Sequence, residues 1–168
     1  MDNEPKTQAE YEHAAQALCY VCDLAAKVGI DITSESCISA ENHIKLLKMV
    51  NKPNHSIFYD VQNYRFWGKI DQMETLKAMF PYIYKTQLHV KDGTGMFDSG
   101  GHLSGSALGK GDCDLWPQID YLLEHEYSGW MILENYYDQL PLRGENEQDQ
   151  LTLMIDDLKT LKAAVKCD

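Results

Sequence analysis

Positive charge is scarce in this sequence of 168 residues, which has 15 Lys and Arg residues against 26 Asp and Glu residues and a formal net charge of −11. Nucleic-acid-binding proteins usually carry a clustered basic surface, and no Lys/Arg cluster occurs along this sequence, so we expect no nucleic-acid partner. No apolar run approaches the roughly 18 to 20 residues that a membrane span needs. Residues 1–6 are polar and lack the apolar segment of a signal peptide. These absences predict a cytoplasmic protein with no membrane partner.

The cysteines do not form a disulfide framework of the kind found in secreted proteins. There are five of them, and their odd number and scattered spacing argue against pairing. Cys19 and Cys22 form a C-x-x-C motif, but no second such motif and no histidine pair stands at zinc-finger spacing. Their Ala/Leu/Val-rich surroundings predict a helix in which the two thiols pack as small apolar side chains.

Four short apolar runs alternate with helical patterns, and one more helix precedes them. The predicted strands are residues 29–35, 56–60, 86–92 and 130–134. The predicted helices are residues 7–28, 40–50, 115–123 and 151–165, together with one that Asp71 caps. Strands that alternate with helices predict right-handed crossovers and a parallel sheet, in a single domain of residues 1–168.

Each predicted strand ends in a side chain that can bind a divalent metal ion. These side chains are Glu35, Asp60, His89 and Glu134. Because the carboxyl ends of parallel strands face the ligand site in α/β folds, residues from four neighbouring strands can converge there. Three carboxylates and one imidazole suit Mn²⁺, Mg²⁺, Co²⁺ or Fe²⁺, with Zn²⁺ as an alternative.

Each of these residues also has an ordinary structural explanation when it is taken alone. Glu35 fits a solvated loop carboxylate, Asp60 fits the first residue of an Asx turn, and His89 fits an interior histidine. Glu134 directly follows four large apolar residues, which argues against a freely solvated position. The equivalent placement of all four residues at strand ends favours a metal site.

Four segments carry motifs whose order along the chain is fairly specific. They are residues 58–63 (FYDVQN), 88–92 (LHVKD), 108–112 (LGKGD) and 132–136 (ILENY). Together they resemble the xylose-isomerase-like superfamily of sugar (phosphate) isomerases and epimerases, to which the endonuclease IV branch also belongs. The family fold is a (β/α)₈ TIM barrel of about 250 residues. The resemblance covers residues 15–165 and implies an α/β fold: the parallel (β/α)₄ C-terminal half of a TIM barrel with an additional N-terminal helix.

The resemblance also implies a metal-dependent reaction in which a proton moves through an enediolate intermediate. Glu35 and Glu134 would be the catalytic acid and base. The same two glutamates, with Asp60 and His89, would ligate the divalent metal. The metal would act as a Lewis acid on a sugar or sugar phosphate.

Asn63 and Lys91 are the residues that the resemblance assigns to substrate binding. Asn63 stands where several family members have a histidine, and the arginine often found after segment 88–92 is not evident, which leaves the identity of the sugar open. Lys91 is alternatively a strand-end lysine that reaches solvent. Asp92 is expected to support either Lys91 or the loop that follows.

The alternative function is that of a catalytically silent half-barrel, a structural or interaction module that a partner completes. Phosphodiester cleavage of the endonuclease IV kind is disfavoured by the net charge of −11, because it requires affinity for DNA. A flavodoxin-like nucleotide binder is disfavoured because no phosphate-binding glycine fingerprint follows the first strand.

A lone half-barrel would leave the inner face and two edges of its sheet uncovered. We therefore expect a homodimer or a missing N-terminal half-barrel, which either a longer chain or a separate protein would supply. Trp130 in the fourth strand is predicted to pack between helix and sheet. The Gly/Ser-rich loop of residues 93–112 is predicted to be either a mobile lid over the substrate or an ordinary long loop.

Overall fold

The computed structural model describes residues 4–83, 85, 87–95, 97, 103–138 and 149–166. Its helices are α1 (Gln8–Ala26), α2 (Ala40–Val50), α3 (Asn63–Phe66), α4 (Gln72–Met79), α5 (Leu115–Glu124) and α6 (Gln150–Val165). Its strands are β1 (Ile32–Ser34), β2 (His55–Ile57), β3 (Gln87–Val90) and β4 (Trp130–Leu133), and a 3₁₀ turn spans Phe80–Tyr82. Residues 98–102 lie outside the described part of the chain, so the prediction that the glycine-rich loop is a lid concerns residues that are not described.

All strand pairing in the described residues is parallel. β1 pairs with β2, and β3 pairs with β4. A bridge between Asp60 and His89 joins the two pairs: the Val61 backbone N–H donates to the His89 carbonyl at 3.3 Å, and the His89 N–H donates to the Tyr59 carbonyl at 3.0 Å. The strand order is therefore β1-β2-β3-β4, and the predicted parallel α/β fold is confirmed.

Helices α1, α2, α4 and α6 begin where the sequence supplies a side-chain acceptor for the first free backbone N–H groups. Thr7 and Glu10 form a capping box at the start of α1, Ser39 caps α2, and Asp71 caps α4 as predicted. The short helix α3 and the 3₁₀ turn were not predicted. At the start of α3, Asp60 Oδ1 accepts hydrogen bonds from the backbone N–H groups of Gln62 and Asn63. No apolar repeat follows in the sequence, so the sequence pattern does not indicate a helix there.

Two large apolar clusters hold most of the elements together, and a small third one joins Tyr137 to Leu153. The larger lies between the sheet and the helices α4, α5 and α6, and its fully buried members include Ile57, Leu76, Leu88 and Leu122. The smaller joins α1 to α2 through Tyr11, Ala15, Cys22, Leu46 and Val50. Cys22 is buried and unpaired within α1, which agrees with the packing role predicted for the C-x-x-C thiols.

The sheet face opposite the helices carries exposed apolar side chains. Trp130 of the edge strand β4 is 77% exposed and Ile132 is 39% exposed, and they share the face of Gln87 and His89, with which they pair. The prediction that Trp130 packs between helix and sheet is therefore wrong, because Met131 and Leu133 are the β4 residues that face the helix-side core. α6 exposes Leu151, Met154 and Leu158 beside this edge. Among the described helices, none combines the length and the apolar character that crossing a bilayer requires.

His43 makes the stability of the fold dependent on pH. Its side chain is fully buried in α2, with Nε2 2.9 Å from Ser34 Oγ. Burial, reinforced by nearby His55, lowers the pKa of His43 from 6.5 to about 4. The unfolded chain therefore binds a proton more readily than the folded chain, so the stability associated with neutral His43 is complete above pH 6.5 and is lost as the pH falls through 4.

The pKa difference corresponds to about 3 kcal/mol of unfolding free energy. Urea denaturation at pH 7 and pH 5 should show a clear loss of stability for the wild type and a smaller loss for His43→Gln. His13→Gln, at an exposed position of α1, is the control and should keep the wild-type difference. An unchanged pH dependence in His43→Gln would contradict the assignment.

Candidate metal centre

The four residues predicted as metal ligands lie together at the carboxyl ends of the strands. Glu35 follows β1, Asp60 follows β2, His89 lies within β3, and Glu134 follows β4. Each residue presents one ligand atom, and these atoms all lie within 4.8 Å of one another. The convergence follows from the topology, because four adjacent parallel strands end at the same edge.

The imidazole of His89 lies among the three carboxylates. Its Nδ1 is 3.1 Å from Glu134 Oε2, 3.5 Å from Glu35 Oε1 and 3.7 Å from Asp60 Oδ2. Burial alone would lower the pKa of His89, but the three nearby carboxylates raise it to about 9. In the metal-free protein this imidazole is therefore protonated at neutral pH and partly balances the carboxylate charge.

Asp60 is buried, and the contacts of its two carboxylate oxygens hold its side chain in one orientation. Oδ1 accepts hydrogen bonds from the backbone N–H groups of Gln62 and Asn63, both at 2.8 Å. Oδ2 faces the cluster, 2.7 Å from Lys91 Nζ. Burial alone would raise the pKa of Asp60, but the nearby His89 imidazole and the Lys91 charge lower it below its usual value. Asp60 therefore remains ionised inside the protein.

Lys91 is buried with its charge, at 2% side-chain exposure. Its Nζ lies between two carboxylates, 2.7 Å from Asp60 Oδ2 and 2.5 Å from Glu134 Oε2. Burial alone would lower the pKa of Lys91, but these two carboxylates raise it above its usual value. The alternative in which Lys91 reaches solvent is therefore wrong. The sequence indicates that Lys91 lies beside the candidate ligands, because it stands two residues after His89 and alternate residues of a strand share a face.

Asn63 lies beside the cluster and holds one of its glutamates. Its Nδ2 donates to Glu35 Oε1 at 3.3 Å. Its own Oδ1 is buried without a hydrogen-bond partner, which leaves an acceptor next to the candidate ligands. The roles of Asn63 and Lys91 in substrate binding remain predictions.

Asp92 secures the loop after β3, as one of its two expected roles. Its oxygens accept hydrogen bonds from the backbone N–H groups of Gly93 at 2.9 Å, Gly109 at 2.8 Å and Gly111 at 3.0 Å. The Cys113 thiol donates to it at 2.9 Å. A Cβ atom at Gly111 would lie 2.1 Å from Asp92 Oδ1, so the absence of a side chain at Gly111 permits this close approach.

A cavity of about 580 Å³ opens next to the cluster, and Glu35 forms part of its wall. The other lining side chains include Cys37, Ile38, Leu46 and Trp67. Its size is in the range of small-molecule sites. Burial, with the nearby Asp60 and Glu35 charges, raises the pKa of the Cys37 thiol to about 12, so Cys37 is not a thiolate ligand. Sequence reasoning missed this cavity, because its walls come from segments with no shared motif.

The donor set at the cluster fits a divalent metal ion. Three carboxylates and one imidazole are ligands that Mg²⁺, Mn²⁺, Fe²⁺, Co²⁺ and Zn²⁺ accept to different degrees. Asp60 Oδ2 and His89 Nδ1 are buried and make no contact with hydrogen-bond geometry, although charged neighbours lie close to both. These two atoms are therefore available to a cation at the centre of the cluster.

Fold and site together define a parallel α/β protein of the TIM-barrel class, with a candidate metal centre at the carboxyl ends of its strands. The family model of the xylose isomerase-like TIM barrel matches residues 2–164. The chain belongs to this family, and the resemblance drawn from its motifs is confirmed. No curated protein is similar enough to the sequence to count as a match.

Three solved structures illustrate the likeness. The xylose isomerase domain protein from Planctomyces limnophilus has a TM-score of 0.73 at 21% identity, over 96% of this chain and 57% of that one. D-allulose 3-epimerase from Methylomonas sp. has a TM-score of 0.70 at 17% identity, over 95% and 57%. A xylose isomerase-like TIM barrel protein from Mycobacterium smegmatis, in complex with magnesium, has a TM-score of 0.64 at 20% identity, over 98% and 55%. This chain thus spans less than two thirds of each of these proteins.

Proposed function

We propose that this chain carries the metal-binding half of an active site that isomerises or epimerises a sugar. The observation that carries the proposal is the convergence of one atom from each of Glu35, Asp60, His89 and Glu134 within 4.8 Å. Family membership supports it, and so do the names of the neighbours D-allulose 3-epimerase and L-ribulose 3-epimerase. The Mycobacterium smegmatis neighbour binds magnesium, which supports a divalent ion.

All four residues would hold the metal, which would supply Lewis-acid stabilisation of negative charge on the substrate oxygens. The two inner ligands, Asp60 and His89, are largely withdrawn from solvent, whereas the side chains of Glu35 and Glu134 are 39% and 46% exposed. Only the two glutamates can therefore approach a bound sugar closely. Asp60 and His89 are suited to holding the ion in place.

Glu35 and Glu134 are the groups that we assign to proton transfer. Their surroundings differ, because Glu35 accepts a neutral amide hydrogen bond from Asn63 and Glu134 contacts the Lys91 ammonium. An acid and a base acting on the same carbon need such different environments to be in opposite protonation states. The free Oδ1 of Asn63 would accept a hydrogen bond from a substrate hydroxyl.

The partner that completes the site is the second part of the proposal. Within the described residues, helices lie before, between and after the four strands, at five positions. A (β/α)₈ barrel has eight strands and eight helices, so four strands with three helices would complete it. A second copy of this chain would bring two helices to each junction. The helix count therefore favours a separate N-terminal half-barrel over the homodimer.

A catalytically silent interaction module is the second candidate function. The exposed apolar side chains of Trp130 and Ile132, on the sheet face opposite the helices, favour it because such a surface is suited to a protein partner whether or not a metal binds. The two candidates differ in whether the cluster binds a metal ion.

Native mass spectrometry after incubation with MnCl₂ tests the proposal. We expect one Mn²⁺ per wild-type chain, and Glu134→Gln should weaken binding by about 100-fold, because it removes a charged ligand without changing its size. Glu124→Gln, at an exposed position at the end of α5, is the matched control and should bind like the wild type.

The same spectra report the assembly, since a dimer mass would support the homodimer and a monomer mass the separate half-barrel. Deuterium uptake from D₂O into D-allulose, lost in Glu35→Gln, would support the chemistry. Wild-type chain that binds Mn²⁺ no better than Glu134→Gln would contradict the metal centre and favour the silent module.

A further inference from the structure

Lys91 contacts two of the four candidate metal ligands, Asp60 and Glu134. The proposed function uses only its contact with Glu134. Its ammonium lies between carboxylates from two different strand ends, 2.7 Å from Asp60 Oδ2 and 2.5 Å from Glu134 Oε2. The Asp60 carboxylate is as buried as the lysine. A buried ammonium is costly unless it is paired, so this position is a built feature of the site.

We infer that Lys91 is a positioning residue, a resident cation that holds Asp60 and Glu134 together when no metal ion is bound. The inference rests on the proposed function, because it concerns the same four ligands. It adds to that function a reason why the cluster stays assembled in the empty protein.

The need for such a cation follows from the charges at the strand ends. Glu35, Asp60 and Glu134 would repel one another at these distances, and His89 alone offers a single positive charge against three carboxylates. Lys91 contacts both Asp60, after β2, and Glu134, after β4. It can reach both because its own strand, β3, lies between β2 and β4 in the sheet. It therefore joins the ligands that follow β2 and β4, on the inner side of the site.

The charge of Lys91 is also compatible with a metal-loaded site. A divalent ion bound through a neutral imidazole leaves one of the three carboxylate charges unbalanced. The Lys91 ammonium supplies the missing positive charge. Because Lys91 contacts the two carboxylates from inside the protein, its contacts are compatible with an ion on the side of His89 and Glu35.

Substitution separates this role from ordinary packing. Lys91→Met keeps most of the buried aliphatic stem and removes the charge, so the empty protein should melt about 10 °C lower than wild type in EDTA. Excess Mn²⁺ should then raise the melting temperature of Lys91→Met by more than it raises that of the wild type. The expected reason is that bound Mn²⁺ holds the two carboxylates in place of Lys91. If Lys91 contributed only packing, Mn²⁺ would raise the melting temperatures of both proteins equally.

Three further variants serve as controls in the same circular dichroism melts. Lys91→Arg keeps the positive charge and should melt closer to wild type than Lys91→Met does in EDTA. The double variant Lys91→Met/Glu134→Gln removes one charge of each sign and should recover part of the loss, even if the single variant folds only with Mn²⁺. Lys77→Met removes an exposed lysine paired with Glu74 and should melt like wild type under both conditions.

The outcomes distinguish this inference from the proposed function. Equal Mn²⁺-induced shifts in wild type and Lys91→Met, or a Lys91→Met melt in EDTA equal to that of Lys77→Met, would overturn the role of Lys91 while leaving the metal centre in place. No Mn²⁺-induced shift in any variant would contradict the metal centre and, with it, the inference. A larger shift in Lys91→Met than in wild type supports both.

Discussion

Asp60→Ala should lower the free energy of unfolding by about 3 to 5 kcal/mol, as expected when one partner of a buried ion pair is removed. The substitution leaves the Lys91 ammonium, 2% exposed, with one of its two carboxylates missing. It also removes the acceptor for the backbone N–H groups of Gln62 and Asn63, which begin helix α3. Urea denaturation at pH 7 in EDTA measures the loss without any contribution from metal binding.

The Asp60 prediction has two controls. Asp60→Ala/Lys91→Met removes the stranded ammonium as well, so its unfolding free energy should lie above that of Asp60→Ala. Asp156→Ala removes a solvent-exposed carboxylate that pairs with Lys159 on α6, and its effect should stay below about 1 kcal/mol. Asp60→Ala with an effect as small as that of Asp156→Ala would refute the buried ion pair.

Asp92→Ala should cost about 3 to 5 kcal/mol, because it leaves several donors unpaired at about 1 to 3 kcal/mol each. The carboxylate is 1% exposed and accepts from the backbone N–H groups of Gly93, Gly109 and Gly111. Its loss should release the loop after β3, so amide hydrogen exchange at Gly109 and Gly111 should accelerate more than exchange in α1. Urea denaturation and exchange measured by NMR give the two quantities.

Asp112→Ala is the matched control for Asp92. Asp112 belongs to the same motif, segment 108–112, but its side chain is exposed, so its replacement should change stability by less than about 0.5 kcal/mol. If Asp92→Ala left the exchange of Gly109 and Gly111 unchanged, the anchoring role of Asp92 would be refuted, even if the variant were less stable overall.

Much of the fold was accessible from the sequence because its signals are local. The apolar runs at 86–92 and 130–134 contain β3 and β4, and Asp71 caps α4 as its position before an apolar repeat predicts. The exposure of Trp130 was not accessible, because an apolar run of consecutive strand residues does not show which of them face the helices. The neighbours on each face of the sheet decide this, and local sequence does not report them.

The candidate metal centre was predictable for a similar reason. A ligand-type residue at each strand end, as at Asp60 and Glu134, needs only the rule that parallel strands end at one edge to be brought together. To predict the contacts of Lys91 with both carboxylates, one would also have to know the order of the strands and how deeply Lys91 is buried. The cavity beside Glu35 needed the N-terminal segment, α2 and the turn after α3 to come together, and these segments have no motif in common.

By itself, the sequence determined the alternation of strands and helices, the family, and the four residues at the strand ends, because these depend on spacing along the chain. The tertiary structure decided which charges are buried together, which edge stays exposed and where Asp92 anchors its loop. Those features depend on distances between segments far apart in sequence, and burial sets their energies: the same Lys91–Asp60 contact would contribute little at the surface and is decisive where water is excluded.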